Sequence, residues 1–268
     1  MTKTRLIDVD ISWLKSWITW RNIFTMPHEL PFNDFKPEID LAVGSEGCGL
    51  CKDMYIMNDG NDGVVYCMCQ VWDWQKRIEN KYQEIRTLEQ PAYLKDLDLH
   101  PALGEMGMKT LEKTIAKAES FIKSPFKWLL ISGPYGVGKT HIMRAINTAL
   151  SPVAVYLSSA DLEDLIHKYR KTDELGDLYD MLVQAPILLL DDLGIEYGGP
   201  LFKSIVDRVV DGRIKRFPDK PMVITTNLTV EEIPNYIERS GDRLMNLEHV
   251  ARAFIAAKSY RKINPNVR

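Results

Sequence analysis

The apolar run Trp128-Leu-Leu-Ile-Ser132 opens directly into Gly-Pro-Tyr-Gly-Val-Gly-Lys-Thr, residues 133–140, and then into a helical pattern. No other stretch restricts the fold as strongly. A buried strand followed by G-x-x-x-x-G-K-T and a helix is the setting in which glycines turn consecutive backbone amides inward as an anion nest. The helix amino terminus adds its partial positive charge to that nest. The pattern therefore predicts a nucleotide-phosphate cradle built from Gly133, Pro134, Tyr135, Gly136, Val137, Gly138, Lys139, Thr140 and His141. Lys139 is placed to reach the β and γ phosphates, and Thr140 to hold magnesium. From Trp128 onward strands alternate with helices, which predicts a parallel sheet covered on both faces.

Such a loop needs a carboxylate on a neighbouring strand to hold the magnesium. The run Ile187-Leu-Leu-Leu190 ends in Asp191-Asp192-Leu193-Gly194, which makes Asp191 the metal partner. Asp192 stands where a base would orient and deprotonate the attacking water, a role more often given to the longer glutamate, with Glu196 as the alternative. A third strand, Pro221 to Asn227, ends in Thr-Thr-Asn, polar residues that a buried strand does not otherwise favour. Asn227 can donate to the γ-phosphate or to the attacking water. The following Thr229-Val-Glu-Glu232 reads as a capping box that starts the next helix.

Taken in order, GPYGVGKTH, YLSSADL, ILLLDDLG, VITTNL, ERSGDRLM and SYR resemble the DnaC/DnaI-type branch of AAA+ ATPases. That branch contains replicative helicase loaders and IstB-type transposition helpers. The resemblance spans about residues 90–268. It implies an α/β fold, an AAA+ P-loop parallel sheet flanked by helices, and ATP hydrolysis used as a switch with ATP and Mg2+ as cofactors. It implies homo-oligomers in which Arg243 of GDRLM acts as an arginine finger on the neighbouring subunit. Asn227 becomes a sensor and Arg261 of SYR a second sensor arginine, so that Lys139, Asp192, Asn227 and Arg243 carry the catalysis. With SYR close to the last residue, the expectation is a core without the C-terminal helical lid of larger relatives.

The four cysteines, Cys48, Cys51, Cys67 and Cys69, all fall between residues 47 and 70, which points to a shared job as a bridge or a metal site. No apolar run approaches the roughly 20 residues that span a bilayer, and the amino terminus carries acids and lacks a secretory core. A cytoplasmic address is expected, without membrane contact, where disulfides are disfavoured. There, C-x2-C followed by C-x-C reads as a zinc knuckle, structural because four thiolates leave no position for water. The intervening NDGNDG offers Asp-Gly turns that let a hairpin join the two pairs. Four reduced cysteines or an iron–sulfur cluster are the alternatives. The loader resemblance extends to such a cluster ahead of the ATPase core.

These anchors divide the chain into a small helical and zinc-hairpin domain, residues 1–89, for partner binding, and an AAA+ domain, residues 90–268. Around Ile11–Phe24, Trp13, Trp17, Trp20 and Phe24 line one side of a helix, a face to be covered by a second helix at 74–89 or by a helicase. Between 107 and 123, Leu111, Ile115, Ala118 and Ile122 predict another apolar stripe. Residues 201–268 hold 13 Lys and Arg against 8 Asp and Glu in a chain of net charge -3. The run His167-Lys-Tyr-Arg-Lys171 pairs charge with an aromatic, a composition suited to single-stranded DNA. The function read from all this is an ATP-dependent replicative helicase loader that grips helicase through its N-terminal domain and single-stranded DNA through its core. The alternative is an IstB-type transposition helper. A P-loop kinase has no use for the sensor and finger pattern, and a plain zinc nucleic-acid module leaves the phosphate loop idle.

Overall fold

The computed structural model describes residues 56–58, 64–66, 80–83, 85, 90–97, 99–151, 153–194, 199–216, 220–237 and 240–260. The four cysteines, the aromatic segment 11–24, Glu196 and Arg261 lie outside them. Two compact units are present, Met1–Lys81 and Tyr82–Arg268. In the first, β1 (Ile56–Asn58) and β2 (Val64–Tyr66) pair antiparallel, with Ile56 opposite Tyr66 and Asn58 opposite Val64. The Asp-Gly repeats connect them, and Cys67 directly follows β2 in sequence.

The second unit is built on a five-stranded sheet in which every recorded pairing is parallel: β3 (Trp128–Ser132), β4 (Ala154–Ser158), β5 (Ile187–Leu193), β6 (Met222–Thr226) and β7 (Val250–Phe254). Their spatial order is β4-β5-β6-β3-β7. Trp128 to Ile131, Ala154 to Leu157, Ile187 to Leu190 and Met222 to Ile224 are all buried, which is why these strands read as unbroken apolar runs. The longer helices among the described residues are α1 (Glu105–Lys123), which precedes β3 in the chain, and, interleaved with the strands, α2 (Lys139–Leu150), α3 (Ser159–Lys171), α4 (Leu175–Gln184) and α5 (Pro200–Ile214). Because the chain leaves β3 for the far edge and returns to pair β6 beside it, the loop after β3 meets the end of β6. Open α/β sheets place ligands at such a switch point.

The buried face of α1 is rotated from the one its apolar residues suggest. Leu111 and Ala118 are buried as expected, but Thr114 and Phe121 accompany them, and Ile115 and Ile122 sit half-buried. Thr114 can occupy the core because its hydroxyl donates to the Thr110 carbonyl at 2.8 Å, leaving only a methyl group to pack.

Arg213 on α5 is fully buried and serves as a carbonyl clamp. It donates to the carbonyls of Leu182 (2.8 Å), Val183 (3.3 Å), Ala185 (2.9 Å) and Pro221 (2.6 Å). These oxygens sit at the end of α4 and on the segments entering β5 and β6, whose backbone groups would otherwise be stranded where helix ends meet the sheet. Burial pushes the guanidinium down to about 9, which still leaves it charged at neutral pH. Truncating it would strand these buried carbonyls, at about 1–3 kcal/mol for each left unanswered.

Candidate functional site

The loop after β3 makes two demands that only glycine meets. Gly138 lies at φ 97°, a left-handed conformation, and a Cβ on Gly133 would stand 2.7 Å from the Ile255 carbonyl. That close approach comes from the chain leaving β7, which runs along the loop. Ile255 N–H donates to Ser132 O at 2.9 Å and Tyr260 N–H to Gly136 O at 2.8 Å. Val137 is fully buried while Tyr135 is 64% exposed, so one side of the loop is nailed into the core and the other faces solvent. On α2, His141 Nε2 lies 2.9 Å from Tyr93 O and the Thr148 hydroxyl accepts from Ala92 N–H at 3.1 Å. Segment 92–97 is thereby held beside the loop, with Leu97 against Gly138.

Lys139, the first residue of α2, is only 4% exposed. Its ammonium donates to Gly133 O and Pro134 O, both at 2.8 Å, and to Asn227 Oδ1 at 2.6 Å. Burial lowers its pKa, and the charges of Asp192 and Asp191 oppose that shift. The other end of the Asn227 amide is unmatched: its Nδ2 is buried and makes no hydrogen bond. An unanswered buried donor costs about 1–3 kcal/mol, and an arriving anion would answer it. Thr140 beside Lys139 is half-buried.

Across the cleft, β5 carries the acids. Asp191 is 2% exposed, and both its oxygens are gripped: Tyr156 Oη donates to Oδ2 at 2.9 Å and Thr225 Oγ1 donates to Oδ1. The Ser159 hydroxyl donates to its main-chain oxygen at 3.0 Å. Asp192 is half-buried with φ 58°, a strained setting for a residue with a side chain. Its N–H donates to Thr225 Oγ1 at 2.8 Å. Where Leu190 pairs Ile224 and Leu193 pairs Thr226, two residues of β5 stand opposite the single Thr225, which is a bulge.

The structure thus brings the phosphate loop, Lys139, Asp191, Asp192 and Asn227 to one place. Arg243 is elsewhere. It lies on the short helix α7 (Gly241–Leu244), which follows α6 (Ile233–Tyr236), and it pairs with Asp211 of α5 while its side chain stays 43% exposed. Asp211 also takes Lys215 at 2.6 Å. One turn earlier on α5, Asp207 accepts from Ser240 N–H at 2.9 Å and Ser240 Oγ at 2.5 Å, so α7 is docked by two acids of one helix face. The Thr229–Glu232 capping box forms as read, with Thr229 N–H donating to Glu232 Oε2 at 2.8 Å and Glu232 N–H to Thr229 Oγ1 at 3.3 Å. The aromatic of the basic run does not behave as expected. His167, Lys168, Arg170 and Lys171 are exposed at the end of α3, but Tyr169 is buried in the helix's apolar stripe beside Ile166, so its ring is withheld from stacking.

A G-x-x-x-x-G-K-T loop, an anchored acid pair and a part-buried asparagine on a β4-β5-β6-β3-β7 sheet meet a matching sequence profile. The profile of the IstB-like ATP binding proteins matches residues 71–263. The chain belongs to this family. An insertion-sequence ATP-binding protein of Geobacillus stearothermophilus is 28% identical over 111 residues, 39% of the IstB-like chain and 41% of that protein. The match therefore spans about two fifths of that relative's length. Among solved structures, the DnaC helicase loader superposes with a TM-score of 0.50 at 19% identity, covering 61% of this chain and 96% of that one. DnaI gives a TM-score of 0.46 at 23% identity over 65% and 93%. The DnaC likeness shows the fold, and the family is one of ATP-binding proteins. Among the described residues of this IstB-like protein, no helix is long and apolar enough to cross a membrane.

Tyr156, Ser159, Thr225 and Asp211 escape motif reading, because nothing in a linear pattern marks them. The nearest signal is the pair of threonines ahead of Asn227, whose polarity is out of place in a buried strand.

Proposed function

We propose that this IstB-like protein is an ATPase switch that loads a replicative helicase onto single-stranded DNA. What carries the ATPase half is the buried, unmatched Nδ2 of Asn227, joined through its own Oδ1 to Lys139, on whose charge both acids act. An amide so placed suits a terminal phosphate. The loop amides and Lys139 would hold the triphosphate, Thr140 and Asp191 would hold Mg2+, and the metal would neutralise charge developing on the phosphate oxygens. Asp192 accepts the proton of the attacking water, and Asn227 donates to the phosphate or to that water. Arg243 is the finger offered to an adjacent copy, and Arg261 the second sensor.

The loader half rests on organisation. A separate N-terminal unit that carries a hairpin and, in sequence, all four cysteines is what a helicase-gripping module calls for. Zinc held by Cys48, Cys51, Cys67 and Cys69 would staple that hairpin, and the Trp17 and Trp20 face would dock on helicase. Single-stranded DNA is read through the charges of Lys168, Arg170 and Lys171, without stacking by Tyr169. The protein works in the cytoplasm as a homo-oligomer, with ATP, Mg2+ and Zn2+ as cofactors. A second reading, a transposition helper, is favoured by the insertion-sequence relative.

Co-purification with the replicative helicase of the same source, with ATP and single-stranded DNA varied, separates the two. A loader retains helicase in an ATP-dependent manner and loses it when Trp17→Ala and Trp20→Ala are combined. Helicase that never co-purifies, set against capture of a transposase, would turn the reading to the helper. For the metal, the purified chain is expected to hold about one zinc, and Cys51→Ser to release it while ATP binding persists. Metal-free protein with an unchanged N-terminal unit would refute the zinc site.

A further inference from the structure

The two acids at the end of β5 pose a geometric problem. Consecutive residues of a regular strand point to opposite faces of the sheet, yet Asp191 and Asp192 both act on the charge of Lys139. The bulge resolves it, since the extra residue breaks the alternation and re-aims a side chain. A bulge also strands backbone groups. The ladder from β5 to β6 is interrupted between Leu190 and Leu193, and the N–H of Asp192 needs an acceptor in place of a strand carbonyl.

Thr225 meets both needs with one atom. Its Oγ1 accepts from Asp192 N–H at 2.8 Å and donates its own proton to Asp191 Oδ1. The donor and acceptor roles are fixed, because an ionised carboxylate can only accept and an amide N–H can only donate. Thr225 is fully buried, so no water competes for the hydroxyl. The next residue repeats the device: Thr226 Oγ1 donates to Leu193 O at 2.6 Å and accepts from Leu228 N–H at 3.0 Å. Tyr156 holds the second oxygen of Asp191.

We propose that Thr225 is a positioning residue that locks Asp191 and Asp192 into a shared orientation, so that magnesium retention and water activation depend on one buried hydroxyl. The proposal rests on the ATPase reading above. Thr225→Val keeps the shape and removes the bridge, so the Asp192 N–H loses this acceptor and the Asp191 carboxylate loses one of its two anchors, keeping Tyr156. Groups that orient metal ligands from behind are worth roughly 10- to 100-fold. The valine variant is therefore expected to need roughly tenfold more Mg2+ to support binding of a fluorescent ATP analogue, and to lose kcat about 10- to 100-fold. Its affinity for the analogue in EDTA is expected to stay within about threefold of the parent, because loop and lysine are untouched. Thr225→Ser retains the hydroxyl and is expected to restore both Mg2+ dependence and turnover.

Thr225→Ala serves as the second hydroxyl-free variant if valine prevents folding, judged by circular dichroism. A folded valine or alanine variant with parental Mg2+ dependence and kcat would overturn the proposal, as would a folded serine variant no better than valine. If the parent protein itself binds nucleotide without hydrolysing it, the ATPase reading fails, and the Mg2+ titration still decides the role of Thr225.

Discussion

Lys139→Ala is expected to remove measurable ATP binding while leaving the fold intact. The ammonium is buried against three oxygen acceptors, two of them carbonyls of the loop itself. Bound phosphate would exchange neutral partners for a charged one, and charge-assisted hydrogen bonds contribute about 1.5–3 kcal/mol each. Losing one of them weakens affinity by about 10- to 100-fold, and losing two by about 10²-fold or more. The effect on the nucleotide-free protein is small by the opposite argument. Burial already disfavours the charged lysine, as its lowered pKa records, so deleting it relieves a cost as well as removing bonds. Thermal melts should show the distinction. The variant is expected to melt near the parent without nucleotide, and saturating ATP, which stabilises the parent by roughly 2.7 kcal/mol at a hundred times Kd, is expected to leave it unmoved. A calorimetric Kd within threefold of the parent would mean that the loop does not bind phosphate through this residue.

The second large effect concerns assembly. Arg243→Ala is expected to bind ATP almost normally and to lose hydrolysis by about 10³-fold or more, the scale on which arginine fingers act. In the isolated chain Arg243 rests on Asp211, which is also held by Lys215. That arrangement does not disqualify it. Exposed ion pairs contribute only about 0–1 kcal/mol, while a planar guanidinium bridging phosphate oxygens stabilises a transition state by several times that amount. The free energies favour leaving Asp211 once a neighbour presents a nucleotide. Mixing Arg243→Ala with Asp191→Asn then tests the geometry, because a mixed interface in which the Asp191→Asn copy offers its finger to the Arg243→Ala copy pairs an intact finger with an intact magnesium carboxylate. Recovered activity in the mixture, absent from either variant alone, is the expected result. A parental rate that is independent of protein concentration and indifferent to Arg243→Ala would eliminate both finger and oligomer.

What the amino-acid order announces here is whatever depends on neighbours in the chain. The loop from Gly133 to Thr140 is legible because strand, glycines and helix start are contiguous, and its φ values follow from residue type. The Thr229–Glu232 box closes over three residues and forms as written. Apolar runs mark β3, β5 and β6 for the same reason, since burial on both faces favours apolar residues until the strand ends, where the polar ones gather. On α1 the apolar stripe and the buried face coincide only at Leu111 and Ala118, because which third of a helix is buried depends on the surface it meets.

The remainder of the site is built from contacts that no local pattern contains. Tyr156 and Asp191 are 35 positions apart, Thr225 and Asp191 34, and Arg243 and Asp211 32. Each pair exists only because parallel strands bring distant segments into register or because α7 docks on α5. Tyr169 shows the converse: a basic run with an aromatic in it has one meaning as a string and another once the helix turns that ring inward. The sequence alone determined which chemical groups the protein owns and which strand ends carry them. Only the tertiary structure decided that a bulge sets two adjacent acids opposite one threonine and that its buried hydroxyl bonds both residues, because strand register is settled by packing across the whole sheet.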